Sequence, residues 1–165
     1  MQRISISLDI IRSKLTGSCE TLGVAESVTS GNLQAAFSLA KEATEFFQGG
    51  LTLYNNGQKA RHVHIDPIAG ERTNCVSEKI AQDMATGACR FFTSDWGLGI
   101  TGYAAPVPAW NIRNKLFAWF AIAYHNEVVV TEKIESTRMP MEKVQQLYVR
   151  VVVSRLADYL VKTRP

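Results

Sequence analysis

The stretch LGVAESVTSGNLQAAFSLAKEA, residues 22–43, decides how the chain is read. Leu22 to Val28 reads as a short buried strand running into a turn, and residues 31–43 are Ala- and Leu-rich and helical by propensity. Small polar residues fill the join: Ser27, Thr29, Ser30 and the permissive Gly31. In α/β proteins, ligands gather beyond the carboxyl ends of strands, where helix N-termini present unpaired N–H groups. By residue type alone, the same hydroxyls also suit simple helix capping.

Upstream, Ile4, Ile6, Leu8 and Ile10 alternate like a strand, whereas Ile4, Leu8, Ile11 and Leu15 keep helical spacing. The pattern continues to Leu15 and stops at Gly17, which favours a helix. Downstream, FFQGGLTLYNNG (46–57) gives a strand with a Gly pair, closed by an Asn-Asn-Gly turn, and a short helix starts near Gln58. Residues 66–76, with Pro67 and Gly70, read as a loop. Ser77 then caps a helix whose stripe is Ile80, Met84, Ala88 and Phe91, with Glu78 at its positive end. DWGLGITGY (95–103) is a Gly-laced strand followed by a loop holding Pro106 and Pro108. LFAWFAIAY (116–124) and EVVVTEKI (127–134), separated by His125-Asn126, form a hairpin. Val144, Leu147, Val151, Leu156 and Leu160 mark a last amphipathic helix that ends before Pro165. Interleaved helices and strands followed by a hairpin predict a mixed sheet with helices on both faces. The expected fold is a three-layer α/β/α sandwich, one domain over residues 1–165.

Composition narrows the function classes. The 165 residues are 46% apolar and 20% charged, the ordinary globular mix. Eighteen Lys and Arg against fifteen acids give +3, scattered without a basic stripe, so no nucleic-acid partner is expected. Apolar runs are far shorter than the ~18 residues of a membrane span. The opening MQRISISLDIIRSKL is interrupted by Asp9, Arg12 and Lys14, unlike a signal peptide, which predicts a cytoplasmic protein. Cys19, Cys75 and Cys89 are odd in number and widely spaced, so neither a disulfide framework nor a zinc site is expected. Trp96, Trp110, Trp119 and several phenylalanines exceed what one core would be expected to hold, which predicts a homo-oligomer.

Chemistry at the 25–31 join needs a base, since serine is a weak nucleophile without one. No GxSxG is present, and His62, His64 and His125 stand in no triad-like pattern. Lys59 can serve if burial lowers its pKa. Tyr54 and Thr101-Gly102 fall at strand ends. Each has an ordinary reading too: an exposed lysine, a half-buried aromatic, a turn.

Together these blocks resemble the C-terminal domain family of the competence/damage-inducible protein CinA, whose active members are nicotinamide-nucleotide amidohydrolases. The family's A-E-S-x-T-G-G is similar to Ala25-Glu26-Ser27-Val28-Thr29-Ser30-Gly31. Its F-x-G-G-x-x-x-Y-x-N-x-x-K is similar to Phe47, Gly49, Gly50, Tyr54, Asn56 and Lys59. Its V-S-E-x-x-A-x-x-M-A-x-G-A resembles Val76-Ser77-Glu78, Ala81, Met84-Ala85 and Gly87-Ala88. Its G-x-x-x-T-G-x-A-x-P resembles Gly97, Thr101-Gly102, Ala104 and Pro106. The blocks keep their order and spacing over residues 8–162.

The resemblance implies an amidase that uses no metal or cofactor and acts on a small pyridine nucleotide, nicotinamide mononucleotide. It makes Ser27 the nucleophile, Lys59 its base and Tyr54 an orienting group. Thr29, Ser30 and Gly31, with Asn56, Thr101 and Gly102, become substrate-binding positions. Arg138, placed like the family's Gly-Asp-Arg, becomes a phosphate holder. Departures are local. Ser30 replaces a glycine, and Ala104-Ala105-Pro106-Val107-Pro108-Ala109-Trp110 replaces a Gly-rich loop. Asn114-Lys115-Leu116-Phe117 stands where the family has P-x-G-T-V. Those departures support a rival expectation: a diverged relative that binds a nucleotide-like ligand or a protein without turnover.

Overall fold

The computed structural model describes residues 2–163. A helix, α1 (Gln2–Ser18), leads into strand β1 (Leu22–Glu26), a short helix α2 (Asn32–Ser38) and strand β2 (Phe47–Thr52). Helices α3 (Asn56–Val63), α4 (Pro67–Arg72) and α5 (Glu78–Phe92) follow, then β3 (Trp96–Gly102), β4 (Lys115–Tyr124), β5 (Glu127–Thr137) and α6 (Met141–Thr163). Pro165 lies outside the described residues. The sheet order is β2-β1-β3-β4-β5. β1 pairs in parallel with β2 and β3, while β3–β4 and β4–β5 are antiparallel. The mixed α/β fold is the one the sequence predicts.

β1 has a parallel neighbour on each side, and all five of its residues are buried. One face of the sheet packs on α1, α2 and α6 through Ile11, Leu15, Phe37, Tyr148, Val152 and Leu156. Ile11 and Leu15 are wholly buried there, which resolves the ambiguous first segment as a helix. The other face carries α3 and α5, with Val63, Ile80, Met84 and Ala88 in its core. α5 lies unusually close to β3. A Cβ at Gly97 or Gly99 would run into the α5 main chain at Ala85 or Ala81. That approach explains why the β3 segment is laced with glycine.

Four expectations need correction. The helix expected over 31–43 runs only from Asn32 to Ser38, with Leu39 84% exposed just beyond its end and a separate single turn at Ala43–Glu45. Residues 67–72 form α4 rather than loop, because the Asp66 carboxylate accepts from the Ile68 amide at 2.9 Å and Pro67 occupies the first turn. Phe91 is 46% exposed, so the α5 stripe ends before it. In α6, Val144, Leu156 and Leu160 are buried as expected, but Leu147 and Val151 are only half-buried, and Tyr148, Val149, Val152 and Val153 take the core-facing places between them. Ser77 does cap α5, accepting from the Ile80 amide at 3.2 Å.

Candidate active site

β1, β2 and β3 run in parallel, so their carboxyl ends meet at one rim of the sheet; Glu26 stands opposite Thr52 on one side and Ile100 on the other. A cleft of about 530 Å³ opens at that rim. Ser27 follows β1 directly and lines it. Side chains alternate along a strand. Ser27 therefore leaves on the side of Ala25, toward α3 and α5, while Glu26 leaves toward α2.

Lys59 comes from the first turns of α3. That helix starts where it does because the Asn55 side chain accepts from the Gln58 amide at 2.9 Å. The lysine is 1% exposed, and its Nζ lies 3.1 Å from Ser27 Oγ. Nζ also donates to the Leu53 carbonyl at 2.7 Å. Both neighbours are neutral, and among the described residues no carboxylate pairs with it. Burial therefore pushes the Lys59 pKa down from the ordinary lysine value, partly countered by the neighbouring Cys75. Burial likewise pushes the Cys75 thiol up, partly countered by the neighbouring Lys59.

The other half of the 25–31 motif serves the helix. Glu26 is fully buried and accepts from Thr29 Oγ1 at 2.5 Å, the Leu33 amide at 3.0 Å and the Gln34 amide at 2.9 Å. It thereby caps α2 from the strand side. Thr29 is buried on that carboxylate, and Gly31 takes φ 94 at the entry to α2. Ser30 is exposed, in the left-handed region at φ 51, with its hydroxyl accepting from Gln145 at 3.1 Å. None of these three lines the cleft. Val28 does, and its amide makes no hydrogen bond within the described residues.

Of the other expected site residues, Tyr54, Asn56, Thr101 and Gly102 line the cleft. Tyr54 is 73% exposed at the rim, and the group that orients Lys59 is the carbonyl one residue earlier. Asn56 donates to the Pro67 carbonyl at 2.8 Å, with its Oδ1 buried and unpartnered beside Gly70. The Thr101 hydroxyl donates to the Cys75 carbonyl at 2.6 Å and so fixes a wall segment. There Asn74 and Cys75 both take positive φ. Arg138 is exposed between β5 and α6 and is not among the cleft-lining residues. Sequence reading missed Leu53, Asn74, Cys75 and Gln145. Asn74 followed by a cysteine at a helix end carried a weak turn signal, whereas Gln145 lies too far along the chain to leave a local one.

The family model for the CinA C-terminal domain matches residues 6–160. A CinA-like protein of a Picosynechococcus species is 40% identical over 98 residues, covering 59% of this chain and 22% of that protein. A CinA-like protein of Prochlorococcus marinus is 30% identical over 138 residues, covering 83% of this chain and 32% of its own length. The chain thus spans only a minor part of these curated relatives. Among solved structures, a CinA superfamily protein from Klebsiella pneumoniae gives a TM-score of 0.86 at 24% identity, covering 96% of this chain and 98% of that one. A competence or damage-inducible protein from Enterobacter asburiae gives 0.83 at 26% identity, covering 95% and 98%. A family match that begins inside α1, takes in all five strands and ends inside α6 leaves one conclusion: the chain belongs to the CinA C-terminal domain family.

Proposed function

We propose that this domain is a serine–lysine amidohydrolase that releases ammonia from the carboxamide of a pyridine nucleotide, nicotinamide mononucleotide being the substrate to try first. The observation that carries the reading is the 3.1 Å approach of a buried, counter-ion-free Lys59 Nζ to Ser27 Oγ. Only a neutral amine accepts a proton, and desolvation favours that form. With one N–H given to the Leu53 carbonyl, the lone pair of neutral Lys59 is free for the Ser27 O–H.

Ser27 Oγ attacks the carboxamide carbon as its proton passes to Lys59. The oxyanion that forms is met by the Val28 N–H, the first amide after the nucleophile. Lys59 returns the proton to the amide nitrogen, the C–N bond breaks and ammonia leaves. A water then attacks the acyl-Ser27 ester, Lys59 takes its proton, and the carboxylic acid and free Ser27 are restored. Net, one amide and one water give one carboxylate and one ammonium.

Incubation of the pure protein with nicotinamide mononucleotide should yield ammonia. Equal release by Ser27→Ala would exclude the serine route. A second reading, a cleft that binds a nucleotide-like ligand or protein without turnover, is favoured by Ala104, Ala105 and Val107, which line the wall where the resembling family carries glycines. Saturable binding with no ammonia from any pyridine amide would support it. The enzyme reading also carries a cytoplasmic location, where thiols stay reduced. It carries a homo-oligomer as well, with the half-exposed Trp110 and Phe91 as apolar surface to cover; monomeric sedimentation at micromolar concentration would count against that assembly.

A further inference from the structure

The turn after Ser27 is held from outside. Ser30 and Gly31 successively take the left-handed region, at φ 51 and φ 94, and Ser30 has a Cβ that disfavours it. Such a conformation persists only where its surroundings over-determine it. Here Glu26 and Asn32 hold the turn from within, through Thr29, and one buried side chain from the second turn of α6 holds it from outside. Gln145 Nε2 donates to the Val28 carbonyl at 3.0 Å and to Ser30 Oγ at 3.1 Å, while its Oε1 accepts from Asn32 Nδ2 at 3.3 Å. The middle of the turn, its strained residue and its exit are all fastened to that amide.

The Ser27 carbonyl is in turn tied to the Ser30 amide at 3.1 Å. In a trans peptide the N–H points opposite to the C=O. The direction of the Val28 N–H therefore follows from where Ser30 is held. We propose that Gln145 is a positioning residue for the nucleophile: by clamping Ser30 and the Val28 carbonyl, it fixes the Val28 N–H beside Ser27 and Ser27 Oγ against Lys59. The proposal rests on the serine–lysine reading above. It also accounts for the chain's departure at position 30. A glycine there would take positive φ unaided, whereas this chain has a serine whose hydroxyl the clamp holds. The chemistry of the clamp is specific, since two acceptors need an amide NH₂ and Asn32 needs an amide oxygen; glutamate lacks the donors.

The test is the rate at which a fluorophosphonate probe labels Ser27, followed by intact mass across a pH series below the melting temperature. Wild type is compared with Gln145→Glu, Gln145→Met, and Gln145→Met combined with Ser30→Gly. Both single variants should label roughly tenfold to hundredfold more slowly, the scale of a small misplacement of reacting groups. The midpoint of the pH dependence should stay in place, because Lys59 keeps its surroundings. Adding Ser30→Gly should recover a large part of the rate. Wild-type rates in the Gln145 variants, or a loss that Ser30→Gly leaves unchanged, would overturn the proposal while leaving the dyad intact. Wild-type Ser27 that resists labelling altogether would overturn the dyad, and the proposal with it.

Discussion

Glu26 and Lys59 are both buried at the carboxyl end of β1, one on each side of Ser27, yet their surroundings differ. Glu26 meets three donors, two of them helix amides that would otherwise lack partners. Among the described residues, Lys59 hydrogen-bonds only to a hydroxyl and a carbonyl. A buried charge whose bonding capacity is filled stabilises local structure. One left short of an opposite charge has its proton affinity altered, which is what proton transfer requires. A single seven-residue motif thus splits along the alternation of a strand, with its glutamate and threonine serving the fold and its serine facing the cleft.

The sharpest break of that contrast is Ser27→Ala. Turnover should fall to background, because the covalent route is gone, while stability changes by about 1 kcal/mol, the size of one lost hydrogen bond. Ammonia release and thermal melting on the same sample check both halves. Next in size, Lys59→Met should lower kcat by roughly 10²–10⁴-fold, the usual contribution of a general base. At neutral pH it should melt no lower than wild type, since it removes a buried group without a counter-ion.

On the other side, Glu26→Ala should act on the fold. It strands the Thr29 hydroxyl and the Leu33 and Gln34 amides, at a cost of about 3 kcal/mol in denaturant unfolding. Full stability in that variant would erase the distinction. The pH dependence sharpens it further. The Lys59 pKa is lowered on folding, so below its folded value the lysine is charged in both states and the burial cost is fully present. As pH rises from the folded pKa toward 10.5, the folded state loses its proton first and stability climbs. Lys59→Met should lack that climb, and wild-type kcat should rise as pH passes through the folded Lys59 pKa and then level off. Smallest of all, Ser30→Gly alone should shift stability by less than about 1 kcal/mol, because relief of the left-handed backbone offsets the lost Gln145 bond.

Much of this was legible in the chain. The α1 stripe, the buried β1, the Asn-Asn-Gly entry to α3, the Ser77 cap and the His125-Asn126 hairpin all carry local signals that the fold obeys. Ser27 and Lys59 are legible through the short motifs that carry them, one directly after β1 and the other in the first turns of the helix that follows β2. What stayed hidden acts across distance or through main chain. Leu53 contributes a carbonyl, which every residue has, and Gln145 reaches Val28 from a helix that reads simply as amphipathic. α4 carries conflicting local signals, since Asp66-Pro67 is a good helix start while Pro67 and Gly70 are also typical loop residues. Thr29 and Ser30 have hydroxyls suited to a ligand, and the structure gives both to the protein itself.

The mixed sheet also sets an order of assembly. β4 and β5 are joined by two residues, His125 and Asn126, both at positive φ as a tight hairpin turn needs, so this pair closes locally and fast. β1 must instead find β3 across the intervening helices, a long closure that costs entropy before any contact rewards it. In pulsed hydrogen exchange the amides of β4 and β5 should gain protection before those of β1; the reverse order would refute this sequence of events. Since Ser27 hangs on β1 and its turn is fastened to α6, the reactive pair comes into being only when both ends of the chain have docked. A partly folded chain carries the residues of the dyad without its chemistry.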